Sequence, residues 1–260
     1  MICFTGDIHG QFMPLIYNIQ NAGLRDEDVI VAGDIGMGFY DLNYYISTFN
    51  ALNKRLLKIN VHLYFIRGNH DKPDYFNDPP IEFESFSHVH LVHDYRVLHL
   101  QKYNILCVGG ATSVDRKFRI EGVDWWKNEN VLQYDKLICK NIDIVVTHCA
   151  PIFCPPSYDR ISWMDDELDR KSREERIFLA NMYFDLLKNS KPRYWFYGHY
   201  HNTYCCELSN EGGFNELEKH YLLSGQTLTE TELEMRNRNV CKFIGLPDMF
   251  NTDWYKFELG

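Results

Sequence analysis

The chain has no CxxC pair, no apolar run approaching 18 residues, no internal repeat and no low-complexity tract. Each absence closes a class. Without CxxC, neither a zinc knuckle nor a thioredoxin-type motif is indicated, although eight cysteines are present. Cys3 and Cys107 sit in apolar runs, which suits free buried thiols. Without a long apolar run, no membrane-spanning helix is expected. No basic, hydrophobic leader precedes the first apolar run, so a soluble, cytoplasmic protein is expected. Positive charge is also short. Lys and Arg number 27 against 36 Asp and Glu, for a net charge of -9. A field of that sign does not attract long duplex nucleic acid. It leaves room for one short phosphate held locally with the help of metal ions.

What is present suits a globular chain. At 260 residues and 45% hydrophobic, it can bury a sizeable core, and a single domain over 1–260 is expected. Short apolar runs ending in glycine or histidine recur at 1–6, 29–33, 61–68, 105–110, 142–148 and 194–198. They are rich in β-branched and aromatic residues and read as buried strands. Helical patterns at 11–22, 40–59, 129–140 and 173–189 separate several of them. That alternation predicts an α/β fold with largely parallel pairing in the first half. After residue 201 the pattern changes. The segments NTYCCELS, KHYLLSG and WYKFELG read as antiparallel strands, so a mixed sheet or a second sheet is expected. The polar stretch 157–175 reads as a surface excursion or a lid.

Metal-competent side chains cluster just after the strands. GDIHG gives Asp7 and His9; GDIG gives Asp34; RGNHD gives Asn69, His70 and Asp71; THCAP gives His148; GHYH gives His199 and His201. In open α/β sheets, ligands bind outside the carboxyl ends of the strands. Five such ends would bring these groups together. Taken singly, a GD after a strand is a common turn and a lone histidine is commonly structural. Five motifs in series are not explained by turns. Asp, His and Asn offer hard and borderline donors that suit Mn, Fe, Zn or Ni. A carboxylate can bridge two such ions, and two ions form a clamp for phosphoryl transfer.

In this order the motifs GDIHG, GDIG, GNHD, THCAP and GHYH resemble the calcineurin-like metallophosphoesterases. The resemblance implies an α/β fold of two mixed β-sheets packed as a sandwich flanked by helices. It implies two divalent transition-metal ions, manganese foremost. Asp7, His9 and His201 would hold the first; Asn69, His148 and His199 would hold the second; Asp34 would bridge both. A metal-bound hydroxide would attack phosphorus in line, and His70 would contact the phosphate or protonate the leaving oxygen. The segment VGGATSVDRKFRIEGVDWW is similar to that of a small bacterial and phage group within the superfamily. Met37 and Gly38 stand where the protein serine/threonine phosphatases carry an acid and an arginine, which weakens that reading. Met37 also stands where purple acid phosphatases carry a tyrosine ligand.

The expected activity is therefore hydrolysis of a small phosphorylated substrate, a phosphomonoester or a phosphodiester. Two alternatives remain: a nuclease or nucleotide phosphodiesterase acting on short ends, and an inactive scaffold of the same fold. With Gly38 in place of an arginine, another cation is expected to grip phosphate. Arg119, then Arg116, are the candidates, because they follow the turn-rich GGATSVD. Arg67 reads as a structural ion-pair residue. Asp71, beside His70, is a candidate catalytic partner.

Overall fold

The strand runs before residue 201 are apolar on both faces, and a strand of that kind has to be covered from both sides. The computed structural model, which describes residues 1–130, 140–209, 222–224, 240–248 and 255–257, meets that demand with two sheets packed on each other and helices outside. In chain order the elements are β1 (Ile2–Thr5), α1 (Phe12–Asn21), β2 (Asp28–Ala32), α2 (Leu42–Leu56), β3 (His62–Ile66), a short α3 (Asp74–Asn77), β4 (Val89–Leu91), β5 (Arg96–Leu100), β6 (Tyr103–Val108), β7 (Ile144–Thr147), α4 (Asp166–Leu186), β8 (Tyr194–Tyr197), β9 (Tyr204–Ser209), β10 (Val240–Gly245) and β11 (Tyr255–Phe257). One sheet has the order β11-β1-β2-β3-β4, and the other β5-β6-β7-β8-β10-β9. In the first, β1 to β4 run parallel and β11 antiparallel to β1. In the second, β6, β7, β8 and β10 run parallel, with β5 and β9 antiparallel at the edges.

The period of two along each strand divides the core into three layers. Ile2, Phe4, Ile30, Ala32 and Ile66 of one sheet meet Ile105, Cys107, Ile144, Val146, Phe196 and Ile244 of the other. The alternate residues Cys3, Val29, Val31, Leu63 and Phe65 face α1 and α2. Leu106, Val108, Val145, Trp195, Tyr197 and Phe243 pack with Leu179, Met182 and Tyr183 of α4. Phe4 and Phe196 stack across the sandwich with ring centroids 3.9 Å apart.

Several boundaries differ from the sequence expectation. The helix expected at 173–189 starts at Asp166, inside the polar stretch read as a surface excursion. Asp165 caps it by accepting from Leu168 N at 2.7 Å. Asp166, Glu167 and Asp169 fill the first turn, where acids oppose the helix dipole favourably. The charge run therefore begins a helix whose other face is buried. β10 was not expected, and it runs parallel to β8 while pairing antiparallel with β9. β4 and β5 were also unmarked: the first is three residues long and the second alternates with exposed Arg96 and His99. The helix expected at 129–140 and most of KHYLLSG lie outside the described residues. Among those described, no helix is long and apolar enough to cross a membrane.

Phe196→Ala removes one ring of the inter-sheet stack. It is expected to lower unfolding free energy by about 3–5 kcal/mol, read from urea denaturation. A loss under 1 kcal/mol would mean the two sheets do not depend on this contact.

Candidate metal centre

The parallel strands of both sheets end on the same side, so the loops after β1, β2, β3, β7 and β8 converge. Backbone bonds fasten them. Ile8 N and His9 N both donate to Asp34 O, at 3.1 and 2.8 Å, and Gly10 N donates to Ile35 O at 2.8 Å. The packing leaves no spare room. A Cβ on Gly68 would lie 2.0 Å from Asp34 Oδ1, and one on Gly33, whose φ is +98°, would lie 2.1 Å from His148 Nδ1. Glycine before Asp34 and before Asn69 is thus a requirement of its neighbour in space.

Two clusters of ligand-type atoms result: Asp7 with His9 and His201, and Asp34 with His148 and His199. In the first, His9 Nε2 and His201 Nε2 lie 3.1 Å apart. Asp7 Oδ2 is 3.0 Å from His201 Nε2 and 3.9 Å from His9 Nε2. That oxygen is buried and has no hydrogen-bond partner among the described residues. Asp7 Oδ1 is used, accepting from His199 N at 3.0 Å. In the second cluster, His148 Nε2 lies 3.3 Å from Asp34 Oδ1 and 3.0 Å from Asn69 Oδ1. His148 Nδ1 donates to Ala32 O at 2.7 Å. With Nδ1 committed to that carbonyl, Nε2 is the nitrogen turned toward the cluster. Asn69 is oriented in the same way: its Nδ2 donates to Ser113 Oγ at 3.0 Å, which aims Oδ1 at His148.

The backbone is bent to present these groups. His9, Asp34, His199 and His201 all have positive φ, between 43° and 69°. Non-glycine residues adopt that region at a cost and concentrate there at functional sites. The electrostatics are one-sided too. Burial disfavours charge on His148, but Asp34 and Asp7 outweigh it and raise the ring to about 10. Burial, then the charge on His148, pushes His199 down to about 3. Asp34 is held well below the ordinary carboxylate value: burial opposes this, but His148, His70 and His9 overcome it. Buried carboxylates that draw protons onto their histidines call for positive charge. The orphaned Asp7 oxygen and the converging imidazole nitrogens fit divalent cations.

His70 stands beside both clusters. Its ring centroid is 6.0 Å from that of His9, and its Nε2 is 3.8 Å from Asp34 Oδ2. Its neighbour Asp71 does not orient it. The Asp71 carboxylate accepts from Ile35 N, Gly36 N, Met37 N and Gly68 N, at 3.1, 2.7, 2.8 and 2.7 Å. Burial, then the charge on Asp34, raises its pKa from the ordinary value, and these donors oppose the rise. Asp71 was expected as a catalytic partner; the structure makes it a clamp between two loops. The residue that touches His70 is Arg119, whose Nη2 donates to His70 Nε2 at 3.2 Å and to Asp115 Oδ2 at 2.6 Å. Burial, and then the positive charge of Arg119, lower the pKa of His70; Asp34 works the other way. Arg119 Nε is buried without a hydrogen-bond partner among the described residues.

Arg116 turns away from this group. Its Nη2 lies 3.7 Å from Glu167 and its guanidinium sits over the Trp125 ring. Arg67 is fully buried, paired with Asp94 and donating to Glu129 O at 2.6 Å, the structural role expected of it. Met37 is core, packed with the α1 and α2 cluster. Ser113 was not anticipated; Asp115 was expected only as a local partner for an arginine of this loop, and it pairs with Arg119. Both lie in ATSVD, a run of small polar residues directly after a strand.

A family profile described as calcineurin-like phosphoesterase matches residues 1–203. Members of that family usually bind two divalent metals and hydrolyse phosphoesters, although some are inactive. A search of curated proteins finds no match. Among solved structures 26 chains match. One, a crystal structure, is 13% identical, with a TM-score of 0.45 over 76% of this chain and 83% of its own.

Gly68→Ala places a methyl against Asp34. It is expected to weaken binding of manganese by roughly 10–100-fold, the range for disturbing a ligand's support, with the circular dichroism of the fold retained. Isothermal titration with manganese chloride reads the affinity. An unchanged affinity would show that the close approach is not needed.

Proposed function

The chain belongs to the calcineurin-like phosphoesterase family, and from that premise we propose that it hydrolyses small phosphomonoesters or phosphodiesters with two divalent ions. The observation that carries this reading is the pair of facing ligand clusters with His70 and Arg119 at their edge. Asp7, His9 and His201 would hold one ion; Asn69, His148 and His199 the other; Asp34 would be the ligand they share. Manganese is the working choice for these oxygen and imidazole donors. When bound, such a pair supplies Lewis acidity to the phosphoryl oxygens and lowers the pKa of water.

The protein's own residues divide the remaining work. Arg119 is the phosphate grip: it is close to the clusters through His70, and its Nε has no hydrogen-bond partner among the described residues. A guanidinium fork matches phosphate oxygens. In the resting site Arg119 donates to His70 Nε2, so that nitrogen carries a lone pair and the ring is neutral. An arriving phosphate offers Arg119 stronger acceptors. It also places negative charge beside His70, which favours the protonated ring. His70 is then loaded as a general acid next to the leaving oxygen. Asp115 keeps Arg119 in place through this exchange.

His70→Ala is expected to lower kcat by roughly 10²–10⁴ on substrates with poor leaving groups, with metal content unchanged. The loss should shrink for a nitrophenol leaving group, which needs no proton. Arg119→Ala should lower kcat/KM by about tenfold or more, or about 1.4 kcal/mol of transition-state binding, whatever the leaving group. Asp34→Asn and chelation should each abolish turnover. Wild-type rates in His70→Ala on a poor leaving group would refute the acid role. A complete, metal-loaded protein inert toward every monoester and diester tried would favour the scaffold reading.

A further inference from the structure

A second cavity opens beside the candidate centre and shares His199 with it. It has a volume of about 330 Å³ and runs between the loop after β6, the loop after β7 and the buried face of α4. Its walls include Tyr158, Ile161, Met164 and Tyr200. Polar groups interrupt this apolar lining, among them Thr112, Asp159, Ser172, Glu175 and Arg176. Ser172 is 8% exposed, and its Oγ is buried with no hydrogen-bond partner among the described residues. Glu175 is buried and accepts from Thr112 N at 2.7 Å. The one arginine among the described lining residues, Arg176, donates to the carbonyls of Ala150, Pro151, Cys154 and Pro156.

These features restrict the occupant. A hydroxyl buried unpaired is costly unless a ligand completes it. The arginine is committed to carbonyls and a buried carboxylate lies nearby, so the cavity disfavours a second phosphate or a carboxylate. The volume is at the small end for ligand sites, which run about 300–1,000 Å³. It suits one ring system and not a polymer. His199 lines the cavity and belongs to the candidate centre, so what lies in the cavity is next to the group that reacts.

We propose that this cavity is the leaving-group subsite: it takes the alcohol half of the phosphoester, an uncharged ring of up to nucleoside size. The apolar faces of the ring lie against Ile161, Met164 and Tyr158, and Ser172 Oγ bonds a polar edge. The inference rests on the phosphoesterase reading and narrows its substrate class to aryl or nucleoside phosphates.

The test has two arms, both on the full chain. In the first, the manganese-loaded protein is assayed on 1-naphthyl phosphate, adenosine 5′-phosphate and glycerol 2-phosphate. The expected kcat/KM for at least one ring substrate is tenfold or more above that for glycerol 2-phosphate. Ile161→Glu should erase that preference by lowering kcat/KM for the ring substrate tenfold or more, with a smaller fall for glycerol 2-phosphate. Ser172→Ala should lower only a substrate with a polar edge, so it separates a nucleoside from a plain aryl group. In the second arm, saturation-transfer NMR reads binding of uncharged 1-naphthol and adenosine to the metal-free protein. At least one should bind, and Ile161→Glu, at a half-exposed position that tolerates change, should abolish it. Ring binding without any hydrolysis would overturn the phosphoesterase reading, and with it the leaving-group role, and leave the cavity as a ring-binding site only. Hydrolysis with equal preference for ring and glycerol substrates, or no ring binding in the second arm, would overturn the cavity assignment.

Discussion

One buried carboxylate holds the candidate centre in shape. Asp71 accepts four backbone N–H groups, three from the loop after β2 and one from the loop after β3. The first loop carries Asp34 and the second carries Asn69 and His70. Their mutual geometry is therefore set by a hydrogen-bonded anion and not by side-chain packing. Such charge-assisted bonds to backbone are short and directional. The clamp has a consequence. It brings a second negative charge close to Asp34, and the cluster around Asp34 and Asp7 already draws protons onto His148. Buried like charges are costly unless cations answer them. The fold thus builds its own demand for positive charge at the strand ends.

The same loops carry the strain. Four of the seven proposed ligands sit at positive φ, and glycines at 33 and 68 are hemmed in by His148 and Asp34. Neither feature helps a strand-to-helix connection to form. Both are offset by the layered core beneath, where each strand is covered on two faces. The rigid element is the sandwich; the bent, charged element is the set of turns at one end of it. His70 and Arg119 add a third level, with contacts to each other that a phosphate would rearrange.

Much of this was legible in the sequence, for a physical reason. Buried parallel strands are short apolar runs, and the residues at their carboxyl ends are marked by glycine, so GDIHG, GDIG, GNHD, THCAP and GHYH stood out. What stayed hidden depends on direction. Adjacency in GNHD suggested that Asp71 serves His70, whereas in space its carboxylate faces the opposite way, toward backbone. Arg116 and Arg119 are three residues apart, and only the folded loop decides which one meets His70. Ser113 orients Asn69 from 44 residues away, a relation no local pattern encodes. The start of α4 was readable from Asp165 and the acids after it, but a charge run resembles a solvated loop until its other face is seen to be buried.

The central claim is that the two clusters form one dinuclear centre sharing Asp34. Electron paramagnetic resonance of the chelator-stripped protein reloaded with manganese tests it most directly. The account predicts two ions per chain and a spectrum of two exchange-coupled spins, with the coupling lost in Asp34→Asn. An uncoupled six-line signal at full loading, or fewer than one ion bound per chain, would contradict it.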